Sequence, residues 1–102
     1  MTIFEVLQST GLPCAYSHFR AGNIPKSPPY IVYLGAGQYD MAADNTYYYR
    51  ANQYQVEYYF TEKNEETEAN IEQLLLDNGY LYEKSEDIYI EDEDVFVIYY
   101  NI

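Results

Sequence analysis

The segment ADNTYYYRANQYQVEYYF, Ala43 to Phe60, holds six of the chain's fifteen tyrosines. Two readings compete for it. Aromatics beside an arginine, here Arg50, can stack on nucleic-acid bases. Alternatively the segment is an aromatic-rich sheet strand. The alternation selects the strand: Tyr54, Val56, Tyr58 and Phe60 fall on one face, and Gln55, Glu57, Tyr59 and Thr61 on the other. That is the period of a half-buried antiparallel strand. Asn52 and its neighbours mark a bulge or turn between Thr46–Arg50 and this strand.

Charge also weighs against nucleic acid. The 102 residues carry 17 acidic and 5 basic side chains, a net charge of −12. Such a field repels phosphate backbones, whose neutralisation by Lys and Arg supplies most non-specific affinity. The length favours a single domain over residues 1–102. With 48% hydrophobic and 22% charged residues the chain reads as globular. The one cysteine, Cys14, has no internal disulfide partner, which fits a reducing compartment. Met1–Thr10 lacks the basic start and long apolar run of a signal peptide, and no membrane span is expected.

Outward from the central strand, other elements take shape. Thr2 and Glu5 have the spacing of a capping box, opening a short helix of about Ile3 to Ser9 that Gly11 and Pro13 end. CAYSHF (Cys14–Phe19) alternates like an edge strand. RAGNIPKSPP is a loop, since Gly22 and its prolines prevent pairing. YIVYL (Tyr30–Leu34) is apolar throughout and fits a central strand, with GAGQYDMAADN after it as an irregular connection. Asn64 can cap a second helix whose Glu65, Glu66 and Glu68 lie near its positive end. Ile71, Leu74, Leu75 and Asn78 share a stripe, and Gly79 ends it. YLYEK and IYI read as short strand pieces, and VFVIYYNI (Val95–Ile102) as the last strand. The expected fold is α+β: one mainly antiparallel sheet with two helices, in the order α-β-β-β-α-β-β.

No pattern for catalysis, cofactor or metal emerges. Cys14 and His18 would lie roughly 13 Å apart on a strand, too far for a nucleophile–base pair. One Cys and one His do not make a zinc site. Gly35-Ala-Gly37 lacks the third glycine of a dinucleotide fingerprint, for that position is Asp40. Glu91-Asp-Glu-Asp94 lacks the spacing and glycine of a calcium loop, and reads as a solvated hairpin turn. The tyrosines exceed what a core of this size can hide, which points to a partner surface.

Taken together, the segments resemble a known family. Ala43-Asp44-Asn45 precedes a tyrosine; Tyr54-x-Val56-Glu57-x-Tyr59 leads to Thr61-x-Lys63; Glu68, Ile71, Glu72 and Leu74-Leu75 follow on a helix. Asn78-Gly79, Tyr82-Glu83-Lys84 and Tyr89-Ile90-Glu91 complete the order, with Leu12-Pro13 and Pro28-Pro29 before the first two strands. This pattern resembles the small tail-completion, or tail-terminator-like, structural proteins of long-tailed phages and prophages of Gram-positive bacteria. GAGQYD and the triple tyrosine depart from it. The resemblance implies a tail-terminator-like fold and a ring, typically hexameric. Such a ring caps the head-proximal end of the tail tube and joins it to the head connector, with DNA passing through the lumen. Its partners would be its own copies, the major tail tube protein and a head connector or stopper protein, with no membrane. It would be made in the bacterial cytoplasm and end at the head–tail junction of the virion. A head-completion or stopper role is the neighbouring alternative, and an acidic DNA-mimic inhibitor is the alternative of another class.

Under the ring reading, Tyr47, Tyr48, Tyr49, Arg50 and Tyr59 are candidates for the subunit interface. Glu86, Asp87, Glu91, Asp92, Glu93 and Asp94 are candidates for an acidic, DNA-repelling lining.

Overall fold

The computed structural model describes the backbone of residues 2–20, 25, 27–43 and 47–102, and their side chains except those of 37–53. In chain order the elements are α1 (Ile3–Gln8), β1 (Cys14–Tyr16), β2 (Tyr30–Ala43), β3 (Tyr47–Phe60), α2 (Glu65–Asp77), β4 (Glu83–Lys84), β5 (Ile88–Ile90) and β6 (Val95–Asn101). The fold is α+β, with two helices and a six-stranded mixed sheet. Its order is β1-β2-β3-β6-β4, with β5 on the same flank of β6 as β4. Among the described residues, only the β1–β2 pairing is parallel.

Local chemistry sets the helix limits. The Glu5 amide donates to Thr2 Oγ1 and the Thr2 amide to Glu5 Oε1, each at 3.2 Å, closing the capping box. At the start of α2 the Thr67 amide donates to Asn64 Oδ1 at 3.1 Å. Its end is a Schellman motif: the Tyr80 amide reaches the Leu75 carbonyl at 2.9 Å and the Gly79 amide the Leu76 carbonyl at 3.1 Å. Gly79 has φ +85°, which a side chain would strain.

The core lies between one sheet face and the two helices. Val56, Tyr58 and Phe60 of β3 meet Ile31 of β2, Ile98 and Tyr100 of β6, Val6 and Leu7 of α1, and Ile71 and Leu75 of α2. The expected alternation of β3 therefore holds. Two expectations nearby do not. GAGQYDMAADN is not an irregular connection: as far as Ala43 it continues β2, paired with β3 from Gly37↔Gln53 to Ala43↔Tyr47. The register shift falls at Gly35/Gly37, whereas Asn52 pairs regularly with Gln38. Ala36 is the extra, unpaired residue of this bulge, because Gly35 pairs with Tyr54 and Gly37 with Gln53.

The pieces YLYEK and IYI, counted once in the expected order, are two separate strands, β4 and β5, giving α-β-β-β-α-β-β-β. Ser85 bridges the break. Its amide donates to the Tyr99 carbonyl, and its Oγ accepts from the Tyr99 amide, each at 2.9 Å. The side chain thus supplies the acceptor that an interrupted ladder lacks. Beyond the core, β2 and β3 run on as a two-stranded ribbon, in a molecule measuring 51 × 29 × 27 Å. Among the described residues, no helix is long and apolar enough to cross a membrane.

Candidate interaction surface

Among the described residues, three surfaces carry most of the polar and aromatic chemistry. The first joins α2 to the sheet. Glu68 follows the helical stripe of Ile71 and Leu75 and is only 3% exposed, although it belongs to the acidic first turn. A buried carboxylate costs several kcal/mol unless it is paired. Lys63 straddles it, 3.0 Å from Oε1 and 2.8 Å from Oε2. The approach to Oε2 is off-axis, so charge rather than a directed hydrogen bond holds that oxygen. Lys84 lies 3.0 Å from Glu68 Oε1 and 2.9 Å from Glu72 Oε2, and Lys63 also reaches Asp87 at 3.0 Å. Tyr100 and Tyr82 donate their hydroxyls to Glu72 at 2.8 and 3.1 Å.

Glu72, Lys63 and Lys84 are each shifted toward their charged forms. Burial alone would raise the Glu72 carboxyl, but hydrogen bonds from Lys84 and Tyr100 outweigh it and the net displacement is downward. Hydrogen bonding to Glu68 raises Lys63. Burial pulls Lys84 down, and its bonds to Glu72 and Glu68 more than reverse this. The cluster acts as a staple between α2, β4 and β6, and it engages two of the chain's five basic residues.

The second surface is the sheet face turned away from the helices. Val32, Glu57, Tyr59, Val97 and Tyr99 share it by register. Tyr59 stacks on Tyr30, with ring centroids 5.0 Å apart, and donates to Glu57 at 2.6 Å. Burial, and then the hydrogen bond to Glu57, push the Tyr59 hydroxyl well above its ordinary value. Phe19 meets Tyr30 edge-on, and a cleft of about 260 Å³ runs between Phe19, Pro25, Tyr30, Tyr59 and Glu93. Tyr59 is therefore separated from the core. The backbones of Tyr47, Tyr48, Tyr49 and Arg50 belong to β3, opposite Ala43, Ala42, Met41 and Asp40, while their side chains lie outside the described residues.

The third surface is acidic. Glu91, Asp92, Glu93 and Asp94 form the exposed turn between β5 and β6. Asp94 takes φ +53° and accepts from the Tyr89 hydroxyl at 2.6 Å. Glu86 is also exposed. Asp87 is exposed as well, and it is paired with Lys63 at 3.0 Å. Because Phe60 pairs with Phe96, the ends of β3 and β6 bring Glu62, Glu65 and Glu66 to this same end of the sheet. The ribbon leaves from the opposite end.

Sequence reasoning missed a further feature. A cleft of about 760 Å³ follows β1, lined by Phe4, Pro13, Cys14, Tyr16, Phe19 and Arg20. Tyr16 is 57% exposed beside it. The signal was in Tyr16 and Phe19 within CAYSHF, but only the fold brings Phe4 to them. The strand itself ends at Tyr16, where Ser17 adopts φ +67°. Burial pushes the Cys14 thiol up to about 11, and His18 Nδ1 lies 3.2 Å from Ser17 Oγ. Among the described residues, no group of three or more metal-ligating side chains converges.

No protein-family model matches the chain, and neither does any curated protein or solved structure.

Proposed function

We propose that this chain is a structural virion protein, a tail-terminator or tail-completion subunit. Its copies form a ring, hexameric in the simplest case, that caps the head-proximal end of the tail tube, meets the head connector and lets DNA pass. The observation that carries this reading is the polarity of the sheet. Exposed carboxylates crowd one end, around Glu65, Glu66 and Glu91–Asp94, while an acid-poor ribbon extends from the other. An acidic end repels DNA and allows passage without adhesion. The stacked Tyr30–Tyr59 pair on the helix-free face suits contact with protein, because tyrosine buries a large apolar body and keeps its hydroxyl bonded.

The DNA-mimic reading is weaker. A mimic needs rows of free carboxylates, and here Glu68, Glu72 and Asp87 are bound by lysines. The test is electron microscopy of particles assembled without this protein. Tails of uncontrolled length support a terminator; normal tails beside leaky heads assign it to the stopper instead. In a second test, reversing the charges of Glu91–Asp94 should impair DNA delivery by assembled particles. Unimpaired delivery would remove the lining role from these acids.

A further inference from the structure

β1 is the terminal strand of the sheet, and its outer flank has unused backbone groups. The Pro13 carbonyl accepts from the Ile31 amide at 2.8 Å, and the Ser17 amide donates to the Tyr33 carbonyl at 2.7 Å. By the alternation of a strand, Pro13, Ala15 and Ser17 face β2, whereas Cys14 and Tyr16 turn their backbone groups outward. The Tyr16 carbonyl is taken by the His18 amide at 2.7 Å. The Cys14 N–H, the Cys14 C=O and the Tyr16 N–H remain, and no hydrogen bond to them occurs among the described residues. They border the aromatic cleft of Phe4, Tyr16 and Phe19. This is the chemistry of an edge that receives another strand.

The ribbon has the complementary deficit. β1 covers β2 only at Ile31–Tyr33, and β6 covers β3 only at Gln55–Phe60, with Ile102 bonded to Tyr54. Gly37–Ala43 and Tyr47–Gln53 therefore have only each other among the described residues. A two-stranded ribbon is marginal in water without a further surface. Charge selects which part of a second copy can approach a chain of net −12: of the 17 acids only Asp40 and Asp44 fall within residues 35–54, opposed by Arg50, and Arg20 lines the receiving cleft.

We propose that the ribbon of one copy adds to the outer edge of β1 in the next copy, pairing with Cys14 and Tyr16. The two patches differ, so the contact is head-to-tail and propagates around a ring or along a filament. This deepens the ring reading and rests on it.

The test is mass measurement, in solution at micromolar concentration, of the full chain and two variants. One replaces residues 37–53 by a short Asn-Gly turn; the other is Cys14→Pro, which removes an outward N–H and leaves the β1–β2 bonds intact. The full chain should be oligomeric. Each variant, folded by circular dichroism, should be monomeric or at least about tenfold weaker in association. Mixed together, they should form a one-to-one dimer, because one retains the edge and the other the ribbon. If Cys14→Pro fails to fold, Tyr16→Glu replaces it, setting a like charge at the cleft. A ribbonless variant that keeps the full oligomer overturns the inference and leaves the ring reading standing, as does failure of the mixture to pair. A full chain that stays monomeric at every concentration overturns both.

Discussion

The two halves of β3 share a chain direction and a partner strand, yet they live in different surroundings. Gln55–Phe60 lies between β2 and β6 and turns Val56, Tyr58 and Phe60 into the core. Tyr47–Gln53 pairs with β2 alone among the described residues. Tyrosine is common to both halves, so composition does not separate them; the number of neighbouring strands does. Tyr58, buried in the core half, carries stability; under the proposed ring the ribbon half serves association.

The largest effect should come from the core half. Tyr58 is 1% exposed, and Tyr58→Ala should cost about 4 kcal/mol, read as a lower denaturant midpoint with the slope unchanged. A loss below about 1 kcal/mol would mean that this half is not the stabilising one.

Next comes the staple beside it. The double change Lys63→Met and Lys84→Met leaves Glu68 buried and unpaired, and should cost roughly 3 kcal/mol. Adding Glu68→Met should recover most of that loss, because an apolar side chain of similar volume needs no counter-charge. If the triple variant is no more stable than the double, burial of the charge is not the cause.

The pH dependence follows from the same groups. Glu72 is lowered from its ordinary 4.5, so its contribution is complete above that value and is lost as pH falls through the lower folded value. Lys63 and Lys84 are raised from 10.5, so theirs is complete below that value and is lost as pH rises through the higher folded values. Thermal melts should therefore show a plateau around neutrality, with losses below about pH 4 and above about pH 11. In Glu72→Gln the acid-side loss should shrink; an unchanged acid limb would assign it to other carboxylates.

The smallest effect on stability belongs to the ribbon half. Tyr47→Ser with Tyr49→Ser should change unfolding by no more than about 0.5 kcal/mol, while association weakens. Should this variant unfold the monomer, the division between the halves of β3 is wrong.

Much of the fold could be read from residues because it is written in short-range chemistry. The capping box at Thr2–Glu5, the cap at Asn64, the stop at Gly79 and the alternation from Tyr54 to Phe60 each depend on neighbours within a few positions. The continuation of β2 past Gly35 could not be read that way. Gly, Ala and Asp have poor strand propensity, and only pairing with β3 makes them a strand. Glu68 was similarly misleading: Glu65 and Glu66, in the same helical turn, are exposed, and its burial depends on lysines five and sixteen positions away.

Residue order alone settles the charge, the helix ends and the face that β3 buries, since these rest on composition and on periods of two and 3.6 residues. Tertiary structure decides which acids are free and which are neutralised, which tyrosines leave the core, and where the sheet keeps an open edge. Those properties depend on groups that the chain separates and the sheet brings together: Asp87 with Lys63, Tyr30 with Tyr59, and Phe4 with the cleft along β1.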